Sequence, residues 1–160
     1  MVKKWEILTL PTPSLRERSE EFDVELVKTS EFQKFADTFG AFMVTSDGVG
    51  LAAPQVGLNK RIIAVQEQDK IGVYINPELL KTSTAMQEDE EGCLSVPGKW
   101  GIVKRHKRIS VRAVDRHGRK VEFDLSGFPA VVWQHEIDHL NGILFIDKVK
   151  EWTKGNNVNV

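Results

Sequence analysis

Apolar positions in the first third of the chain recur at helical spacing. Phe32, Phe35, Phe39, Phe42 and Met43 fall on one stripe of an α-helix. Ser30 stands where an N-cap belongs, and Ser46-Asp47-Gly48 is a stop. An aromatic stripe of this kind reads as core rather than as a cofactor box. Ahead of it, residues 11–23 mix prolines with charges and read as a surface loop.

The period then shortens. Arg61 to Gln66 is a short β-rich run, and Val73-Tyr74-Ile75 is another, stopped by Asn76-Pro77. Ile109–Val114 and Lys120–Leu125 flank Asp115-Arg116-His117-Gly118, a hairpin signal. Ser126 can cap a last helix running to about Leu140. Pro129 sits in its first turn, where no backbone donor is missed, and Asn141-Gly142 ends it. Helix, several strands, helix is the order of an α+β fold with mostly antiparallel strands. No internal repeat interrupts it, so residues 1–160 are expected to form one domain, with a flexible polar tail over about 154–160.

Composition narrows the function. Apolar residues make up 41% of the chain and the net charge is -1, which excludes a disordered chain. Without a basic excess, neither nucleic acid nor a membrane surface is an expected partner. No run approaches the roughly 18 apolar residues of a membrane helix, and no signal or transit segment is evident at the start, so a cytoplasmic location is expected. The single cysteine, Cys93, permits no internal disulfide. Taken alone, it would be a small buried hydrophobe.

The last helix carries the chemistry. In Gln134-His135-Glu136-Ile137-Asp138-His139 the two histidines are one turn apart on one face. That spacing suits a single metal ion, with Glu136 beside His135 able to reach a water without ligating the metal. The bland alternative is two core histidines beside a solvated carboxylate. Buried His and Glu need partners, however, and Val131, Val132, Ile137 and Leu140 bury this helix. A third ligand is wanted, with a position left for water. No His lies downstream, and a thiolate is a better ligand than a stray backbone group, so Cys93 in Glu91-Gly92-Cys93-Leu94-Ser95 is assigned as the third. That block is expected to be a tight turn. Gln134 and Asp138 are expected to hold the imidazoles. His106 and His117, set among Arg and Lys, are expected to be solvated.

A third block, Gly48-Val49-Gly50-Leu51-Ala52-Ala53-Pro54-Gln55, fails the dinucleotide-loop pattern because Ala53 stands at the third glycine and no strand clearly precedes it. Its small residues point instead to a backbone that approaches something closely, with the Gln55 amide as a donor at its end.

In this order and spacing the three blocks resemble the signature motifs of the peptide deformylase family, over about Ile7 to Asp147. The resemblance implies antiparallel sheets around a central helix bearing the two histidines. It implies removal of the N-formyl group, as formate, from the initiator methionine of nascent chains. It implies Cys93, His135 and His139 as metal ligands, and Glu136 as acid/base. Gln55 and the Leu94 N–H would hold the formyl oxygen. The substrate backbone would lie along Val49, Gly50 and Gly92 as an added strand. Val132, with Phe128 and Val131, would wall the methionine pocket. The implied native metal is ferrous iron, with zinc, nickel or cobalt as substitutes. The chain departs from the family at Trp100, where many relatives carry arginine, and this departure bears on substrate preference beyond methionine. With Lys148, Lys150 and Lys154 as its only late cations, the chain gives no expectation of ribosome docking through a basic C-terminal helix. A monomer is expected. Two rivals are an endopeptidase using the same helix motif and a binding module with a structural metal; the second would need four protein ligands.

Overall fold

The computed structural model describes residues 4–155. Among the described residues eight strands form two antiparallel sheets, accompanied by two α-helices and short 3-10 turns. Helix α1 spans Ser30–Thr45 and buries Phe32, Ala36, Phe39 and Met43. Its cap is Thr29, whose hydroxyl accepts from Phe32 N at 3.2 Å, so Ser30 is already helical. The first sheet has the order β1 (Gly50–Ala52), β2 (Ile62–Gln66), β3 (Ile71–Thr82), β6 (Arg108–Asp115), β7 (Lys120–Ser126). The second has the order β4 (Met86–Cys93), β5 (Val96–His106), β8 (Val149–Lys154). Helix α2 spans Phe128–Leu140 and carries the paired histidines.

The first sheet is covered on both faces at its centre. Ile62 and Ala64 of β2 join the α1 cluster, while Ile63 and Val65 join Trp133, Ile137 and Leu140 of α2. Burial on both faces is why this strand reads as a continuous apolar run. The expected hairpin is β6–β7, in the register Ile109↔Leu125.

Several expectations need correction. β3 does not stop at Asn76-Pro77. It bulges there, with Asn76 at φ 51 and a register shift between Ile75 and Glu78, and continues to Thr82. The Asn76 side chain stabilises the bulge by bonding both Phe22 N and Phe22 O at 2.9 Å. Gly127, at φ 67, rather than Ser126, precedes α2; Ser126 closes β7. Residues 11–23 are not simply a surface loop. Pro13–Arg16 form a 3-10 turn with Leu15 buried, and Ser19 N donates to Leu140 O at the end of α2. Glu91-Gly92-Cys93 ends strand β4, and the turn itself is Leu94-Ser95. Of the expected tail, Lys154 belongs to β8, and residues 156–160 lie outside the described residues.

No helix among the described residues is long and apolar enough to cross a membrane.

Candidate metal centre and cleft

Helix α2 sets His135 and His139 one turn apart, with ring centroids at 5.0 Å. Cys93, the last residue of β4, brings its sulfur alongside. Sγ lies 3.3 Å from His139 Nε2. One ligand atom from each of Cys93, His135 and His139 lies within 4.8 Å of the others. One sulfur and two ring nitrogens are the donors that a transition-metal ion takes from a protein.

The surroundings favour a cation at this point. Burial would push His135 down, but the Cys93 and Glu91 side chains and the Glu136 charge outweigh it and hold the ring at about 10 in the metal-free chain. A place that binds a proton so firmly is electronegative, and a divalent ion meets the same field. Burial and the neighbouring His135 hold His139 well below its ordinary value, which keeps it neutral as ligation requires. The Cys-His-His set therefore fits a metal.

Glu91 and Arg105, to which sequence reasoning gave no part, position the first imidazole. His135 Nδ1 donates to Glu91 Oε1 at 2.7 Å, leaving Nε2 for the metal. Arg105 clasps the same carboxylate with Nε at 2.8 Å and Nη2 at 2.9 Å. Burial opposes ionisation of Glu91, yet these partners bring it down to about 2. Arg105 Nη1 reaches Asp138 Oδ2 at 2.5 Å, and Lys148 pairs with the same oxygen at 2.9 Å. Asp138 thus acts on His135 only through Arg105 and Glu91. Gln134 holds no imidazole either. Its amide bonds His106 N, His106 O and Ala130 O, which ties α2 to the end of β5. His106 is half-buried, with Nδ1 2.8 Å from Ser83 O, whereas His117 is exposed as expected. A signal for Arg105 did exist: Gly101, Val103 and Arg105 alternate inward along β5.

Glu136 is 4% exposed, and its Oε2 has no hydrogen-bond partner among the described residues. Burial raises its carboxyl to about 7, against the pull of His135. Gly50 explains how the carboxylate fits: a Cβ there would stand 2.5 Å from Glu136 Oε1. This is the close backbone approach that the small-residue block predicted. Gln55 is buried. Its Oε1 accepts from Ala52 N at 2.9 Å, and its Nε2 donates to Ser95 Oγ at 3.2 Å and lies 3.6 Å from Cys93 Sγ.

These groups face a cleft of about 610 Å³. Val131, Val132, His135 and Glu136 line it from α2, Gly48-Val49-Gly50 from one side, and Gly92 to Leu94 with Trp100 from the other. Phe128 also lines it and is 60% exposed. Every predicted site residue lines this cleft except His139, which is buried. β1 and β4, which flank the cleft, are the edge strands of their sheets. A second groove, of about 480 Å³ between Lys81, Arg108 and Ser126, holds no His or Cys and gathers none of this chemistry.

A family model described as polypeptide deformylase matches residues 4–155. The chain belongs to the polypeptide deformylase family. A peptide deformylase of Desulforudis audaxviator is 43% identical over 145 residues, which is 90% of this chain and 92% of that one. The crystal structure of a Met-Ala-Ser-bound peptide deformylase from Acinetobacter baumannii has a TM-score of 0.88 at 35% identity, covering 93% of this chain and 100% of that one. The peptide deformylase of Thermotoga maritima has a TM-score of 0.86 at 36% identity, covering 92% and 99%. These structures share the α+β architecture described above. Peptide deformylases are metal-dependent, and the Cys-His-His group of this chain could bind such an ion.

Proposed function

We propose that this chain hydrolyses the formamide at the start of nascent polypeptides, releasing formate and leaving methionine with a free amine. The observation that carries this reading is the convergence of Cys93, His135 and His139 beside buried Glu136, inside a cleft flanked by two edge strands, in a member of this family. Cys93, His135 and His139 hold the metal. A divalent ion bound there activates a water and draws charge from the formyl oxygen.

The chain's own groups do the rest. The Glu136 carboxylate, with one oxygen that has no partner among the described residues, accepts the water proton as the oxygen attacks the formyl carbon. It then delivers the proton to the methionine nitrogen as the C–N bond breaks. Its raised pKa suits both halves of that transfer near neutral pH. Gln55 Nε2 and the Leu94 N–H donate to the formyl oxygen as it gains charge; one such donor is typically worth about 3–4 kcal/mol. The peptide lies as an added strand along Val49-Gly50 and Gly92, with its methionine between Val131, Val132 and Phe128. Selection for formyl follows from crowding at the reacting carbon, where a small hydrogen fits and a methyl would clash.

The native metal is ferrous iron, which the charge donated by the one thiolate suits and which zinc, nickel or cobalt can replace. The enzyme acts in the cytoplasm, where nascent chains are made. A monomer suffices for this chemistry, because Cys93, His135, His139 and Glu136 come together within a single chain.

The test is formate release from formyl-Met-Ala-Ser after anaerobic purification, with metal analysis of the same sample. Turnover should follow metal content, and acetyl-Met-Ala-Ser should be inert. Cleavage of internal peptide bonds without formate release would make the chain an endopeptidase instead.

A further inference from the structure

Of the nine large apolar side chains exposed among the described residues, Val49, Trp100 and Phe128 line the one cleft, at 48%, 41% and 60% exposure. Trp100 is held in place by a strand pairing. It stands opposite Gly92 in the β4–β5 ladder, and a Cβ on Gly92 would lie 2.7 Å from its ring. One side of the indole is thereby packed on the strand that flanks the cleft, and the residue stays 41% exposed. The neighbouring cation, Lys99, does not screen it; its Nζ lies 6.0 Å from the Trp152 ring instead. Exposed apolar surface gathered at a cleft mouth marks a binding surface. Hydrogen bonds at strand edges hold a peptide without reading its sequence, so side-chain contacts must do the reading.

We propose that Trp100, which shares the cleft with exposed Phe128 and Val49, is a specificity-determining residue. It selects formylmethionyl peptides that carry a large apolar side chain at the second or third residue. The inference rests on the deformylase reading. Methionine fills the inner pocket, and the peptide leaving it must pass this rim. A large apolar side chain there covers indole surface that alanine leaves in water.

The test compares kcat/KM for formyl-Met-Leu-Ser and formyl-Met-Ala-Leu, each against formyl-Met-Ala-Ser, in the parent, Trp100→Phe and Trp100→Ala. The parent should prefer leucine about five- to tenfold at one of the two positions, as expected for a partly covered apolar contact. Trp100→Phe should keep most of that ratio. Trp100→Ala should bring it below about twofold, with the change carried by KM. A parent with no leucine preference overturns the inference. So does a Trp100→Ala enzyme that keeps the parent ratio. If Trp100→Ala slows all three peptides equally, the residue merely props β4, and the inference again falls. Absence of formate from every peptide overturns the deformylase reading as well, so the two failures are distinguishable.

Discussion

The two sheets are stabilised by different physics. The five-stranded sheet is apolar on both faces at its centre: α1 offers Phe32, Phe39 and Met43 to one side, and α2 offers Trp133, Ile137 and Leu140 to the other. The three-stranded sheet also has an apolar cluster, around Val96, Val103 and Phe145. Yet Glu91 and Arg105 are buried on it, 6% and 2% exposed, and they bind Asp138 and His135 of α2. Apolar burial is non-directional and tolerant of small shifts. A buried ion group needs every partner in place, because removing one leaves an uncompensated charge. One side of the molecule therefore supplies most of the rigidity, and the other aims the ligands. The comparison can be attacked from either side.

The largest effect is expected at the junction itself. Glu136→Gln should lower turnover by about 10²–10⁴-fold, the usual worth of a positioned acid/base. Metal content should not change. The metal-free variant should melt no lower than the parent, because a neutral amide replaces a buried carboxylate with an unpartnered oxygen. Formate-release kinetics, metal analysis and thermal melting decide the matter together. A variant that turned over at the parent rate would end the acid/base assignment.

Next come two substitutions of similar cost to stability and different cost to the site. Arg105→Met leaves buried Glu91 with His135 alone and Asp138 with Lys148 alone, and should destabilise the fold by about 3–5 kcal/mol. It should also weaken metal binding about 10–100-fold in a chelator competition, because Glu91 no longer fixes His135. Phe39→Ala, at a fully buried position on the far side, should cost about 3–5 kcal/mol through the cavity alone. Its folded fraction should bind metal as the parent does. Equal losses of metal affinity in both variants would mean that the two regions are not separable.

The same contrast explains what was legible in the sequence. The α1 stripe, the β6–β7 hairpin and the two histidines of α2 show themselves through local period or spacing. Strand β4 did not. Gln87-Glu88-Asp89-Glu90-Glu91 has almost no strand propensity and becomes a strand only when laid against β5. Arg105 sits in Lys104-Arg105-His106-Lys107-Arg108, where composition suggests a solvated run and only the inward phase of Gly101 and Val103 suggests otherwise. A long-range ion group cannot be read locally, because its members come from β4, β5 and α2. The Cys93 convergence came from chemistry rather than pattern: two imidazoles needed a third donor, and one good candidate existed. Asn76-Pro77 misled for the opposite reason. It is a genuine turn signal that a bulge, held by side-chain bonds to Phe22, absorbs without ending the strand.

The smallest effect isolates burial as the variable. Arg16 and Asp147 form a two-bond pair at 2.5 and 3.0 Å, chemically like Arg105 and Glu91, but each side chain is 39% exposed against 2% and 5%. Burial resists ionisation of Asp147, while the Arg16 guanidinium and the Leu144 N–H outweigh it and hold the carboxyl below its ordinary value. A native pKa below the unfolded one means that ionisation favours the fold. The contribution is complete above the ordinary carboxylate range and is lost as pH falls through the depressed native value. Water screens the pair, so Asp147→Asn should cost less than about 1 kcal/mol at pH 7. The difference in melting temperature between parent and variant should hold constant from pH 7 down to the ordinary carboxylate range and shrink only as pH falls below it. A loss at pH 7 as large as that of Arg105→Met, or a gap that widened in acid, would show that exposure is not what separates the two pairs.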